Sequence, residues 1–295
     1  MTDKFALTVL GSGGPVLNTS RASPGFVVHS DGEARLLLDA GGGTGARIGE
    51  IEMDLSTLTA AYFSHFHVDH TSSFPAILKT ALLEGLEELD VYGPTGDESM
   101  PDTSEWLNGQ FSAENGTYRY LHEFAENIVN GSLNLSAHEI EATVNQPDPS
   151  STIINDDLNI EAIPVAHGST PTLAYRVSQD QHSITVATDI NSTSGNLPQL
   201  AMDTDVLVHG AAISSAVSDD ESIAHLHSYP SQIAANASEA GADTLVLVHL
   251  MPPSESAIEN VIETIREGYG GTVIVAEDRM RIYADGTTEQ PASSS

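Results

Sequence analysis

Not one of the 295 residues is cysteine. That absence excludes disulfides, thiolate metal sites and a cysteine nucleophile together. Any transition metal must then be held by histidine and carboxylate. Basic residues are nearly as scarce: 10 Lys+Arg stand against 42 Asp+Glu, and only two of the ten, Lys4 and Lys79, are lysines. The formal charge of −32 sets up a field that repels polyanions, because nucleic-acid affinity comes largely from Lys and Arg displacing counterions from phosphates. On charge alone, nucleic acid is disfavoured as a partner. Such a surface is also what adaptation to high salt produces, since at about 1 M the screening length is near 3 Å. No apolar run approaches the roughly 18 residues of a membrane span, so a soluble protein without a membrane partner is expected. No G-x-S-x-G nucleophile elbow occurs either.

What is present reads as one α/β domain. At 40% hydrophobic residues the chain can bury a substantial core, and no stretch in its middle looks like a long flexible linker. The opening MTDKFALTVLGSGG reaches glycine rather than a small-residue cleavage site, so Phe5–Leu10 reads as a strand. A leader removed beforehand would leave the same sequence, and the compartment, cytoplasmic or exported, stays open. Gly25–His29 and Ala34–Asp39 read as two further strands ahead of a glycine loop. Apolar Leu58–Ser64 runs into HFHVDH, and a helix is expected over about Ser72–Leu86. Helices and loops are expected from Gly93 to Ser150, where Trp106, Phe111, Tyr118 and Tyr120 are candidates for a pocket wall or, more plainly, for core packing.

Regular strands resume at Leu158–Val165, Leu173–Val177, Ser183–Ala187, Val206–His209 and Leu245–Val248, with helices over Ser231–Ala240 and Ser254–Glu267 and closing strands Thr272–Val275 and Met280–Tyr283. Strands cluster in each half, with helices late in each. That pattern predicts a four-layer αββα sandwich spanning residues 1–285, with a helical and loop insert over about 93–150 near the active site and a disordered tail at 286–295.

The chemistry concentrates in HFHVDH. His65, His67, Asp69 and His70 place four metal-capable side chains within six residues, directly after an apolar strand. Imidazole nitrogens and carboxylate oxygens suit zinc, and a loop at a strand end can aim alternate side chains at two centres. Other motifs lead nowhere. Gly41-Gly42-Gly43-Thr44-Gly45-Ala46 lacks the long helix and acid-ended second strand of a dinucleotide site. Gly11-Ser12-Gly13-Gly14 lacks the lysine of a P-loop and reads as a tight turn passing near the metal loop. Triplets such as Asn191-Ser192-Thr193 are expected in an Asn- and Ser-rich chain. His29, His122, His138 and His182 show no motif and are assigned to surface or packing.

HFHVDH resembles the HxHxDH signature of the metallo-β-lactamase superfamily. That pattern asks for a further His, an Asp and a final His, each at a strand end: His167 in VAHGST, Asp189 in VATDI and His249 in LVLVHLMPP supply them in order. The resemblance implies one divalent metal on His65, His67 and His167, a second on Asp69, His70 and His249, and Asp189 bridging them. Zinc is the expected ion, with manganese or iron as alternatives. The C-terminal half, VLVHGAAI followed by HLHSYPSQ, resembles the tRNase Z and arylsulfatase-like branch. By that resemblance His227 would protonate the leaving oxygen, and Asp69 and His227 are the expected catalytic residues. The chain departs from the branch at Gly210, where such chains carry Glu in an HEA-type motif. Either a carboxylate such as Asp219, Asp220 or Glu221 substitutes, or the acid is weaker.

The resemblance implies a binuclear hydrolase whose metal-bridging hydroxide cleaves phosphodiester or sulfate-ester bonds of a small anionic substrate. It also implies a homodimer. Three other readings compete: a tRNA 3′-processing endoribonuclease, a lactonase or β-lactamase-type hydrolase, and a non-catalytic metal-binding scaffold. tRNase Z chains carry a basic arm, often between the third His and the bridging Asp, whereas only 21 residues separate His167 from Asp189 here. With the charge, that points away from tRNA.

Overall fold

A computed structural model describes residues 5–17, 20–145, 150–154 and 158–290 of the chain. Its architecture follows from strands that are apolar on both faces. Phe26 and Val28 point into one cluster and Val27 between them into another, and all three are fully buried. Such strands lie between two covering layers rather than against water.

The first sheet holds β1 (Ala6–Gly11), β2 (Gly25–Ser30), β3 (Glu33–Ala40), β4 (Ala60–Tyr62), β5 (Glu88–Pro94) and β6 (Asn134–Ile140) in sequence order, with β14 (Arg281–Tyr283) and β15 (Thr288–Glu289) beyond β1. The second runs β13 (Thr272–Val275), β12 (Thr244–Val248), β11 (Val206–Gly210), β10 (His182–Ala187), β9 (Thr172–Gln179), β8 (Leu158–Val165), β7 (Ser150–Ile154). Each sheet begins as an antiparallel meander and turns parallel where connections become longer: β3 to β6 in one, β10 to β13 in the other. Parallel neighbours need crossovers, and these supply the outer helices.

Helices α1 (Thr44–Glu50), α2 (Val68–Thr71), α3 (Phe74–Glu84), α4 (Thr103–Phe111) and α5 (Tyr120–Ile128) belong to the first half. Those of the second half are α6 (Asn196–Leu200), α7 (Pro230–Ala240), α8 (Pro252–Glu255) and α9 (Ile258–Gly268). Between the sheets lies a core that includes Phe5, Leu7, Val9, Tyr62, Leu173, Tyr175, Val208 and Val248. The opposite faces pack under helices, with Phe63, Phe74 and Leu78 on one side and Leu207, Ile233 and Leu247 on the other. The expected αββα sandwich is what forms.

Strands β5 and β7 were not expected from the sequence, and two further details differ from that reading. The segment expected to hold helices and loops contains α4 and α5 but also β6, which pairs in parallel with β5 along its length. Its residues NLSAHEI are exposed or half-buried except Ile140, so an edge strand leaves little hydrophobic periodicity to read. The expected disordered tail is ordered in part: Thr288 and Glu289 pair with Ile282 and Arg281, and residues 291–295 lie outside the described residues. Among the described residues no helix is long and apolar enough to cross a membrane.

Candidate metal centre

The short strand β4 ends at Tyr62, and the chain then turns through Phe63, Ser64 and His65 into the single turn of α2. Two contacts across the sandwich hold that turn: Leu173 N–H donates to the Ser64 carbonyl at 2.9 Å, and the buried Tyr175 hydroxyl donates to the Phe63 carbonyl at 2.6 Å. Beneath it, Gly41 passes so near the Asp69 carbonyl oxygen that a Cβ would overlap it. The side chains of Phe66 and Trp106 stack at 4.7 Å, which fastens the loop to α4. Trp106, Phe111 and Tyr118 thus pack into the helical layer, while Tyr120 is exposed and carries Lys79 over its ring.

Every residue of the sequence pattern arrives at one place. His65, His67, His167 and Asp189 form one group and Asp69, His70, Asp189 and His249 a second, with candidate ligand atoms in each within 4.8 Å of one another. Asp189 belongs to both. Its Oδ2 lies 3.0 Å from His70 Nε2 and 3.4 Å from His65 Nε2, and its Oδ1 lies 3.0 Å from His249 Nε2. His227 covers the cluster, its ring 5.4 Å from that of His167 and 5.2 Å from that of His249, with Nδ1 3.7 Å from Asp189 Oδ1.

The surrounding hydrogen bonds set the imidazole tautomers. His70 Nδ1–H donates to Asp39 Oδ2 at 2.8 Å, His167 Nδ1–H to the Leu226 carbonyl at 2.8 Å, and His65 Nδ1–H to Ser64 Oγ at 3.0 Å. Each therefore turns an Nε2 lone pair inward, the arrangement that outer partners impose on metal-binding histidines. Among the described residues, buried His70 Nε2, His249 Nε2 and Asp189 Oδ1 have no partner in hydrogen-bond geometry, although both ring nitrogens lie 3.0 Å from Asp189 oxygens. Buried polar atoms left unsatisfied are costly, so this donor set fits divalent cations.

The electrostatics agree. Burial pushes the His65 pKa well down, with His70 adding repulsion. Burial also opposes protonation of His70 and His249, yet the carboxylates Asp39 and Asp189 outweigh it at His70, and Asp189 raises His249 to about 9. Asp189 is held far below the usual carboxylate range: burial works against this, and His249 and His70 overcome it. Without a cation, protons on imidazole do the neutralising.

The carboxylates offered as substitutes at Gly210 do not reach His227. Asp219 lies against the Tyr229 hydroxyl and Glu221 accepts the Ser218 amide. Nor could Glu stand at 210 in this backbone, because a Cβ there would overlap the Thr188 carbonyl oxygen. Two residues went unread in the sequence. Asp39, with φ of 54°, receives Ser64 N–H, Ser64 O–H and His70; its only signal was an acid closing an apolar strand. Asn236, buried under His209, gave none.

A sandwich of two sheets with a His/Asp cluster at the strand ends defines the class. The model of the beta-lactamase superfamily domain matches residues 34–250, and the chain belongs to that superfamily of metal-dependent hydrolases. Within it, the chain is 29% identical to Ribonuclease Z of Methanopyrus kandleri over 296 residues, covering 96% of this chain and 99% of that one. Human tRNase Z, short form, superposes with a TM-score of 0.68 at 20% identity over 95% and 99% of the two chains. A metallo-beta-lactamase fold protein from Bacillus subtilis gives 0.70 at 19% identity over the same shares.

These likenesses correct the argument from charge. Nucleic acid was set aside on the strength of −32, yet the relatives are named for RNA. The error was physical: net charge governs solubility and the long-range field, which salt screens over a few ångströms, and says little about what a local cationic centre binds.

Proposed function

We propose that the chain is a binuclear metal-dependent phosphodiesterase that processes the 3′ ends of tRNA, a reading supported by its likeness to proteins named Ribonuclease Z and tRNase Z. The observation that carries it is Asp189, fully enclosed and shared by two groups of inward-turned imidazoles. His65, His67 and His167 would hold one cation, Asp69, His70 and His249 the other, and Asp189 both; zinc suits this set, with manganese or iron as alternatives. Bound there, the cations supply Lewis acidity and an activated water.

The chain's own residues do the rest. Hydrolysis adds water across the P–O bond, so the leaving oxygen must gain a proton. His227, buried but facing the centre, holds that proton at Nδ1. Burial lowers its pKa to about 4, and the negative charge of a phosphodiester lying against it works the other way. His167 and His227 are themselves nearly fully buried beside the centre, which limits the bulk water there.

One observation favours a second reading, small phosphodiesters or sulfate esters. Gln179 pairs with His182 across a tight β9–β10 turn, where a basic tRNA-gripping arm would otherwise sit. The deciding assay gives metal-loaded protein a precursor tRNA with a 3′ trailer, bis(p-nitrophenyl) phosphate and p-nitrophenyl sulfate, in molar and in dilute salt, with His67→Ala as control. Metal-dependent trailer cleavage absent from the variant is expected. Turnover of sulfate alone, or of no ester, would overturn the proposal.

A further inference from the structure

Behind Asp189 and His227 runs a chain of polar side chains whose hydrogen bonds fan out from Asn236, one way to His209 and the other through Ser192 to Ser228. His209 is fully buried, and its Nδ1–H donates to the Gly210 carbonyl at 2.8 Å, which leaves Nε2 as an acceptor. Burial holds its pKa near about 4, so the ring is neutral and the lone pair available. Asn236 Nδ2, on α7, donates to that Nε2 at 3.0 Å and to Ser192 Oγ at 2.8 Å. Ser192 Oγ–H then donates to Ser228 Oγ, and Ser228 Oγ–H to the Ile190 carbonyl at 2.7 Å. A second strap runs alongside, from Asn191 Nδ2 to the His225 carbonyl at 2.7 Å.

Two loops meet here. Ile190, Asn191 and Ser192 directly follow Asp189, while His225 and Ser228 flank His227. Every bond between them fixes the separation of the proton donor from the shared carboxylate. Ser192 holds a left-handed φ of 60°, a conformation that is costly for a non-glycine residue and persists where surroundings over-determine it. Among the described residues His227 has no carboxylate partner apart from Asp189, and position 210 admits no side chain.

We propose that the chain His209–Asn236–Ser192–Ser228 positions His227 over the reacting phosphate, an amide and two hydroxyls holding in place a ring that has no carboxylate at position 210 beside it. The inference rests on His227 being the proton donor of the proposed reaction. Ser192, Ser228 and Asn236 are positioning residues: each acts on His227 through the two loops they hold together.

Ser192→Gly tests this cleanly, since glycine adopts the left-handed backbone without strain and only the hydroxyl is lost. Asn236→Leu removes the next link. The measurement is the ratio of turnover on an RNA phosphodiester, whose alkoxide leaving group needs a proton, to turnover on bis(p-nitrophenyl) phosphate, whose leaving group does not. His227→Ala should lower that ratio by about 10²-fold, the ordinary size of a general-acid effect, and Ser192→Gly by about tenfold. A purely structural role would lower both activities in parallel, and an unchanged ratio in Ser192→Gly would overturn the inference.

A second readout does not depend on turnover. Carbethoxylation of His227, followed by peptide mass spectrometry, should be several-fold faster in Ser192→Gly than in the parent chain, because an unlatched loop exposes the ring. If the parent cleaves no phosphodiester, the functional reading fails, and this rate alone decides the network: equal rates in parent and variant would overturn it.

Discussion

Replacing Asp39 by Asn should cost metal affinity far more than it costs the fold. In the parent, Asp39 Oδ1 accepts Ser64 N–H at 2.8 Å, while Oδ2 accepts both Ser64 O–H and His70 Nδ1–H, each at 2.8 Å. Asparagine fits the left-handed backbone and can keep the Ser64 amide bond with its oxygen. Its NH₂ then faces the other two donors. The Ser64 hydroxyl can rotate, but the His70 ring must move its proton to Nε2, the nitrogen whose lone pair points at the centre. Loss of such an outer partner weakens metal binding about 10–100-fold, which is about 1.4–2.8 kcal/mol. Alanine does more damage. It strands buried donors at about 1–3 kcal/mol each and adds about 1–2 kcal/mol for a β-carbon at positive φ. Competition titration against a chromophoric chelator, beside thermal unfolding of the metal-free forms, separates the effects. Asn should weaken binding of one cation of the pair with a small change in Tm, and Ala should lower Tm steeply. Parent-like affinity for both cations in Asp39→Asn would refute the argument.

Two further outcomes follow from the same geometry. Gly210→Ala forces a methyl onto the Thr188 carbonyl, so it should destabilise by more than about 3 kcal/mol; a soluble variant with parental Tm would contradict the close approach of position 210 to the Thr188 backbone. His29, held to about 3 by burial and then by Arg281, stays neutral in the fold but binds a proton in the unfolded chain below about pH 6.5. Stability is therefore lost as pH falls from about 6.5 toward 3. His29→Leu should shrink the loss between pH 7 and pH 5 by about 2 kcal/mol, read from urea midpoints; an undiminished loss would show that His29 is not the cause.

The sandwich and the His/Asp cluster at its strand ends were legible because both are written in strong local signals. Strands such as Val206–His209 and Leu245–Val248 are continuous apolar runs, and His167, Asp189 and His249 sit one step past such runs. What stayed hidden is written in common residues. Asp39 looks like an ordinary turn acid until His70 is brought to it from 31 residues away. Ser192 lay in a triplet dismissed as compositional, and Ser228 and Asn236 acquire meaning only when α7 packs behind Asp189. Gly210 reads as a missing Glu, whereas the backbone of Thr188 leaves no room for any side chain. Strand β6 escaped because its two faces are nearly alike in polarity, and parallel pairing with β5 depends on a partner 46 residues earlier.

The centre also draws on both sheets. His65, His67, Asp69 and His70 extend from β4 of the first, whereas His167, Asp189 and His249 extend from β8, β10 and β12 of the second. Cations seated among them would tie together stretches far apart along a chain with no covalent bridges. Closing so long a loop removes conformational freedom from the unfolded chain rather than adding contacts to the folded one. The same ions that serve chemistry would then act as a reversible clasp between the halves of the sandwich, and the mechanical integrity of the fold would follow the supply of metal in its surroundings.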